Sequence, residues 1–417
     1  MPLWRPTLIN KSAMINKREA YLRHAKYYLG ILRTMDEQYA QGGESALEAL
    51  RAFDVEWLNV HAAQQASSSS PKSDWEAARL CSAFPDAGAY LLSLRQRPEE
   101  RMQWVRAAWA ASRRIGDREE ELSHQLNLGL AHLDSGQPRD AAHWFRKALA
   151  LSRHLGRPRD EGKAIGNLGS VTAVLGDPRG AIRYHQKALR IDRQLGDRAG
   201  EANDLGNLGN AYARLGEPHL AIAYHREALQ QHRTLGNLRG EAEDLAAIGG
   251  AFLDLGEPEI ASRYIERARD ISQRIGDRHG LEADLLNLGN VAVELGQYAL
   301  ATRRYEEALA LAHDLGDRAG EANALGSLGL HLFNLGETER AIELLEASLS
   351  IHSGLGDRNG EAATLFNLSL AFAEARDRAK ALHHARRAQR LFEELESPHA
   401  RTVAAQLRAW RESGPRS

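Results

Sequence analysis

The chain has 417 residues, with 54 Lys and Arg against 56 Asp and Glu, 43% hydrophobic residues and one cysteine. A formal charge of -2 is too balanced for a protein that holds nucleic acid through phosphate charge. The lone Cys81 excludes an internal disulfide and points to a reducing compartment. No run of about 18 apolar residues is present for a helical membrane span, and the N-terminal stretch lacks the apolar core of a secretory signal, so a cytoplasmic location is expected.

Residues 1–16, broken by Pro2 and Pro6, read as an irregular lead-in. From Lys17 to about Ala40 the apolar Tyr21, Leu22, Ala25, Tyr28, Leu29 and Leu32 fall at helical steps, and Gly42 and Gly43 close that helix. A second helix is predicted from about Ser45 to Ala66, through Leu50, Phe53, Val55, Trp57 and Leu58, completing an N-terminal helical element over residues 1–66. Residues 67–73, SSSSPKS, offer nothing to pack and read as a flexible linker. Residues 74–116 align with the next unit when Pro98 is set under Pro138, which makes them a degenerate first repeat.

Seven regular units of 40 residues occupy residues 117–396. The closing Leu/Ile-Gly pair recurs every 40 residues from Ile115-Gly116 through Leu195-Gly196 to Leu355-Gly356, and a period that never slips marks a stack of like units. Ser397 and Pro398 then open a capping helix over residues 397–411, with a tail at 412–417.

Within a unit, Gly-x-Pro separates two helices. Gly136, Gly176, Gly216, Gly256, Gly296 and Gly336 stand where a helix ends in a left-handed residue. Pro138, Pro178, Pro218 and Pro258 suit the first turn of the next helix. Asp197, Asp277, Asp317 and Asp357 are expected caps for the following first helix, whose positive end suits Glu161, Glu201, Glu241, Glu321 and Glu361. The glycine column at 129, 169, 209, 249, 289 and 329 is expected to let backbones approach, with small Ala141 and Ala148 and their equivalents keeping the second helix slim.

Leu128-Gly129, an aromatic three residues on (Tyr212, Phe252), Ala141 and Ala148 resemble the tetratricopeptide repeat signature. The 40-residue unit is similar to the longer repeats of Pins-type adaptors and of many bacterial signalling proteins. The helices before residue 67 resemble, more faintly, the segment preceding such arrays in bacterial STAND-type regulators. This resemblance implies an all-α, right-handed solenoid whose first helices line a concave groove, in which Asn before the Leu-Gly pair contacts bound peptide.

That position reads Asn127, Asn167, Asn207, Ala247, Asn287, Ser327 and Asn367. Asn is a poor helix former, so propensity does not select it. Residues three, four and seven away share its face and include Asn203, Asn210, Asn290 and Arg214. An amide donates and accepts, so such a ladder can hold an extended peptide backbone. The competing reading has these amides bonding within the stack. Asp204, Asp244 and Asp284 run beside the stripe and make mid-groove acidic, which points to a partner segment carrying Lys or Arg.

No catalytic or metal site is expected. Gly156 to Lys163 has five intervening residues where a phosphate loop has four, and no strand precedes it. Tyr184-His185 and Tyr224-His225 recur with the repeat and read as packing residues. The expectation is therefore a cofactor-free, non-enzymatic scaffold for a protein or peptide segment, with no nucleic-acid or membrane partner. The alternative is a ligand-gated regulator whose N-terminal helices act on an effector.

Overall fold

The computed structural model describes residues 7–41, 43–70, 73–96, 98–395, 397 and 399–412. These hold twenty helices and no strand. They fall into two compact units, one of residues up to Ser135 with His143–Ser152, the other of Gly136–Ala142 with Arg153 onward. The division lies inside the first regular repeat, not at the serine run.

The first unit contains α1 (Thr7–Ala40), α2 (Gly43–Ser68), α3 (Trp75–Ala87), α4 (Ala89–Arg95), α5 (Pro98–Ile115) and α6 (Arg118–Asp134). Helix α1 starts at Thr7, so much of the expected lead-in is helical; Pro2, Pro6 and Gly42 lie outside the described residues. The core joins Leu32, Phe53, Phe84 and Leu91, and Trp57 stacks on Trp104 with centroids 5.7 Å apart. Helix α2 runs through Ser67 and Ser68, the first two residues of the expected linker, and residues 69–70 form a turn. Ser67 is buried and donates its hydroxyl to the Ala63 carbonyl at 2.9 Å, and Ser69 and Ser70 bond back to Gln65 and Ala66 in the same way. Serines that satisfy themselves on the preceding turn let the helix run on. The degenerate repeat has three helices rather than two, because Gly88 breaks the first. A Cβ at Gly88 would lie 2.6 Å from Leu32, and Asp36 accepts the Leu91 amide at 2.9 Å, so α1 packs directly on the break.

The regular hairpins follow: α7 (Pro138–His154), α8 (Pro158–Val174), α9 (Pro178–Leu195), α10 (Arg198–Arg214), α11 (Pro218–Leu235), α12 (Leu238–Asp254), α13 (Pro258–Ile275), α14 (Arg278–Glu294), α15 (Tyr298–Leu315), α16 (Arg318–Asn334), α17 (Thr338–Leu355), α18 (Arg358–Glu374) and α19 (Arg378–Glu394). Every turn glycine from Gly116 to Gly356 has positive φ, and Arg376 takes the same conformation at φ 60° in the last repeat. Asp197, Asp277, Asp317 and Asp357 each accept the amide three residues on, at 2.9–3.1 Å. Three first-turn glutamates also pair with an arginine of the preceding helix: Arg153–Glu161 at 2.8 Å, Arg193–Glu201 at 2.9 Å and Arg233–Glu241 at 2.8 Å.

Wholly buried Leu208 and Ile248 each contribute about 1.5–3 kcal/mol through area removed from water. The glycine column serves a different purpose from the one expected. What fills the space is less backbone than a side chain of the second helix: Phe145, His185, His225, Ile265, Tyr305 or Leu345. In the last repeat the exchange reverses, with Ser369 in the glycine column and Ala385 in the large one, both buried. The last helix, α20 (His399–Glu412), lays Val403 and Leu407 on a cluster with Phe392 and Leu365.

First helices of neighbouring repeats touch at every step from α8 to α18. The second unit also meets itself, since Leu355 and Leu395 lie against Gly136 and Gly176, between five and six repeats earlier.

Candidate functional site

Helical geometry carries the residue before each Leu-Gly pair to one face of the first helix, a quarter turn or so from the buried leucine. In the second unit this places Asn167 on α8, Asn207 on α10, Asn287 on α14 and Asn367 on α18 in equivalent, half-buried positions. Among the described residues none of these four side chains has a hydrogen-bond partner. Half-exposed amides of this kind bond to water and stay open to a ligand's backbone. Asn203, Asn210 and Arg214 are exposed on the same helices. Asn290 is committed in part, because the Tyr305 hydroxyl donates to its Oδ1 at 2.7 Å.

Asn127 belongs to the first unit and is already used there. It donates to Asp86 Oδ1 at 3.0 Å, beside Glu120 and the buried His124. The Ser82 hydroxyl sits 2.9 Å from His124 Nε2, and burial pushes the Glu120 carboxyl up to about 7.

The three aspartates expected to make the face acidic are corrected. Asp204, Asp244 and Asp284 are 5%, 3% and 3% exposed. One residue beyond the amide stripe is about 100° further round the helix, which turns these carboxylates into the seam against the preceding hairpin. Asp204 accepts from His185 Nδ1 at 3.1 Å. Asp244 accepts from His225 Nδ1 at 2.9 Å and His232 Nδ1 at 2.8 Å, and Asp284 accepts from the Ser272 hydroxyl at 2.8 Å. Burial pushes Asp284 up to about 7. Burial and the neighbouring Asp204 charge do the same to Asp192. The Asp204 carboxyl is raised by burial and opposed by its bond to His185. His185 and His225 thus fill the glycine column and also pair buried carboxylates, a role the sequence reading did not assign. The carboxylates left on the exposed side are Glu243, paired with Arg239 at 3.1 Å, and Asp254, Glu294 and Glu374.

A tetratricopeptide repeat model matches residues 160–234, 241–314 and 320–394, and a second matches 122–157. The chain belongs to the tetratricopeptide repeat family. Its tetratricopeptide array is similar to several solved structures. A Rap protein complexed with competence and sporulation factor covers 89% of this chain and 99% of its own, at 13% identity and a TM-score of 0.63. NprR in complex with its cognate peptide NprX covers 74% and 94%, at 17% identity and 0.51. A STAND protein with a tetratricopeptide repeat sensor from Pyrococcus horikoshii covers 99% and 64%, at 15% identity and 0.50. Identities this low show a shared fold. Among curated protein sequences none matches the chain. No helix of the described residues is long and apolar enough to cross a membrane.

Proposed function

We propose that the tetratricopeptide array is a non-catalytic receptor for an extended peptide or partner segment, held along the first-helix face of the second unit. The observation that carries this reading is the set of four half-buried amides, Asn167, Asn207, Asn287 and Asn367, at one register and without internal partners among the described residues. Asn203, Asn210 and Arg214 flank them. The Rap protein complexed with competence and sporulation factor and NprR complexed with its cognate peptide support a ligand-binding use of this fold. Preference for Lys or Arg in the partner rests on Asp254, Glu294 and Glu374, since Asp204, Asp244 and Asp284 are spent inside.

The test selects binders from a displayed library of unstructured 15-residue peptides and titrates one against the native chain and the N167A/N207A/N287A variant. Three lost amide contacts at about 1–1.5 kcal/mol each weaken binding by roughly 10²- to 10³-fold. Unchanged affinity refutes the amide ladder.

A second reading, a ligand-gated regulator, is favoured by one feature of the first unit. Val55 and Leu58 on α2 are 77% and 79% exposed, an outward apolar pair suited to an effector. Ligand-induced hydrogen-exchange protection of residues 17–66 supports it; protection confined to the first helices of the second unit supports the passive scaffold.

A further inference from the structure

Comparing the repeats with one another isolates a place where two columns break together. At the column of Ala202, Ala242, Ala322 and Ala362 the fifth unit has Glu282. Three residues earlier, the column holding Arg159 and Arg239 has His279. Arg159 and Arg239 reach the cap aspartate of the next repeat, Asp197 at 2.7 Å and Asp277 at 3.3 Å. His279 does likewise through Nδ1, 3.1 Å from Asp317 Oδ2. Glu282 adds a carboxylate to the same spot, and the three side chains bring ligand-type atoms within 4.8 Å of one another.

Packing accounts for only part of this. In other repeats the glycine three residues past the cap is covered by Asp192, His232 or His352, at Gly200, Gly240 and Gly360. The matching residue here is Ala312, and the Glu282 carboxylate occupies the space over Gly320 instead. An apolar side chain would fill that gap without cost. Glu282 is 3% exposed, and its Oε2 is buried with no hydrogen-bond partner. A buried carboxylate oxygen without a donor, on a side chain grouped with a histidine and a second carboxylate, needs a cation or a proton.

We infer that His279, Glu282 and Asp317 form a binding site for one divalent transition-metal ion, of the Zn²⁺ or Mn²⁺ type. One imidazole with two carboxylates is a borderline donor set, which favours these ions over Ca²⁺ or Mg²⁺. Ligand bonds of about 2.1 Å to donors 3.1 Å apart subtend roughly a right angle, within ordinary coordination geometry. Asp317 Oδ1 stays on the Gly320 amide at 2.9 Å, which fixes the carboxylate in place as outer contacts of metal ligands do. His279 is exposed, so further coordination positions face solvent or a ligand. The site is separate from the amide face and stands whether or not that face binds peptide.

Calorimetric titration of the chelator-treated, dialysed full chain with Zn²⁺, Mn²⁺, Ca²⁺ and Mg²⁺ tests the site. Two variants restore residues that the other repeats carry, and so keep the fold: Glu282→Ala and His279→Arg. The expected result is one Zn²⁺ or Mn²⁺ per native chain, at least tenfold weaker in each variant, with a metal-dependent rise in Tm confined to the native protein. Failure of the native chain to bind either ion overturns the site, as does undiminished binding in either variant.

Discussion

Replacing Asp244 by alanine should open the seam between α11 and α12. Its carboxylate accepts from His225 and His232 at 2.9 and 2.8 Å, and all three side chains are at most 5% exposed. Both Nδ1 atoms must carry hydrogen to make these bonds, so the alanine variant leaves two buried donors facing a void. Each unpaired donor costs about 1–3 kcal/mol, and a cavity adds to it, which gives a loss of roughly 3–5 kcal/mol. Asp244→Asn keeps an acceptor for one histidine but turns an amide hydrogen on the other, so its loss should be smaller and still measurable. Repeats in a stack open locally, so a single midpoint would blur the effect. Hydrogen exchange read separately over α11 and α12, alongside a urea melt, is the suitable assay. A loss below about 1 kcal/mol with unchanged exchange in both helices would refute the view that this buried pairing holds the repeats together.

Arg376 occupies at φ 60° the turn position that every earlier regular repeat gives to glycine, so Arg376→Gly should stabilise the last hairpin by about 0.5–1 kcal/mol, visible as a raised thermal midpoint. At Gly169 an added Cβ would lie 2.7 Å from His185 Nε2, and Gly169→Ala should cost about 1–3 kcal/mol in a urea melt, with no loss if the ring can step aside. The Asp192 carboxyl sits at about 7 in the fold, above its ordinary 3.8, so the native state holds that proton more tightly. Its stabilising contribution is full at acid pH and is lost as pH rises through about 7. The urea midpoint should therefore fall from about pH 4 to pH 7 and level off above, and Asp192→Asn should flatten the fall by up to one proton, about 1.4 kcal/mol per pH unit.

The hairpins were legible because glycine, aspartate and proline recur at fixed offsets that only a helix–turn–helix unit uses. The amide column was legible for the same reason, since helical spacing alone assigns it to a face. The buried aspartates were misread because a charged residue next to a polar stripe passes for solvated surface. A signal was nonetheless present. His185 goes with Asp204 and His225 with Asp244, whereas Tyr305 goes with Ala324; Ile265 stands opposite Asp284, which bonds Ser272 instead. Partners that change together between copies of one unit mark contact. The serine run misled differently, because composition suggested a chain break while each hydroxyl found a carbonyl one turn back.

The direct contact between successive first helices has a metrical consequence. Helices in contact stand 8–10 Å apart, and an extended chain advances about 3.3 Å per residue, so each repeat is matched by about three residues of a bound strand. Asn167 to Asn367 spans five such steps, a ruler of roughly fifteen residues. A pentapeptide can engage two neighbouring amides at most, and a helical segment, rising only 1.5 Å per residue, would need about six or seven residues for each step.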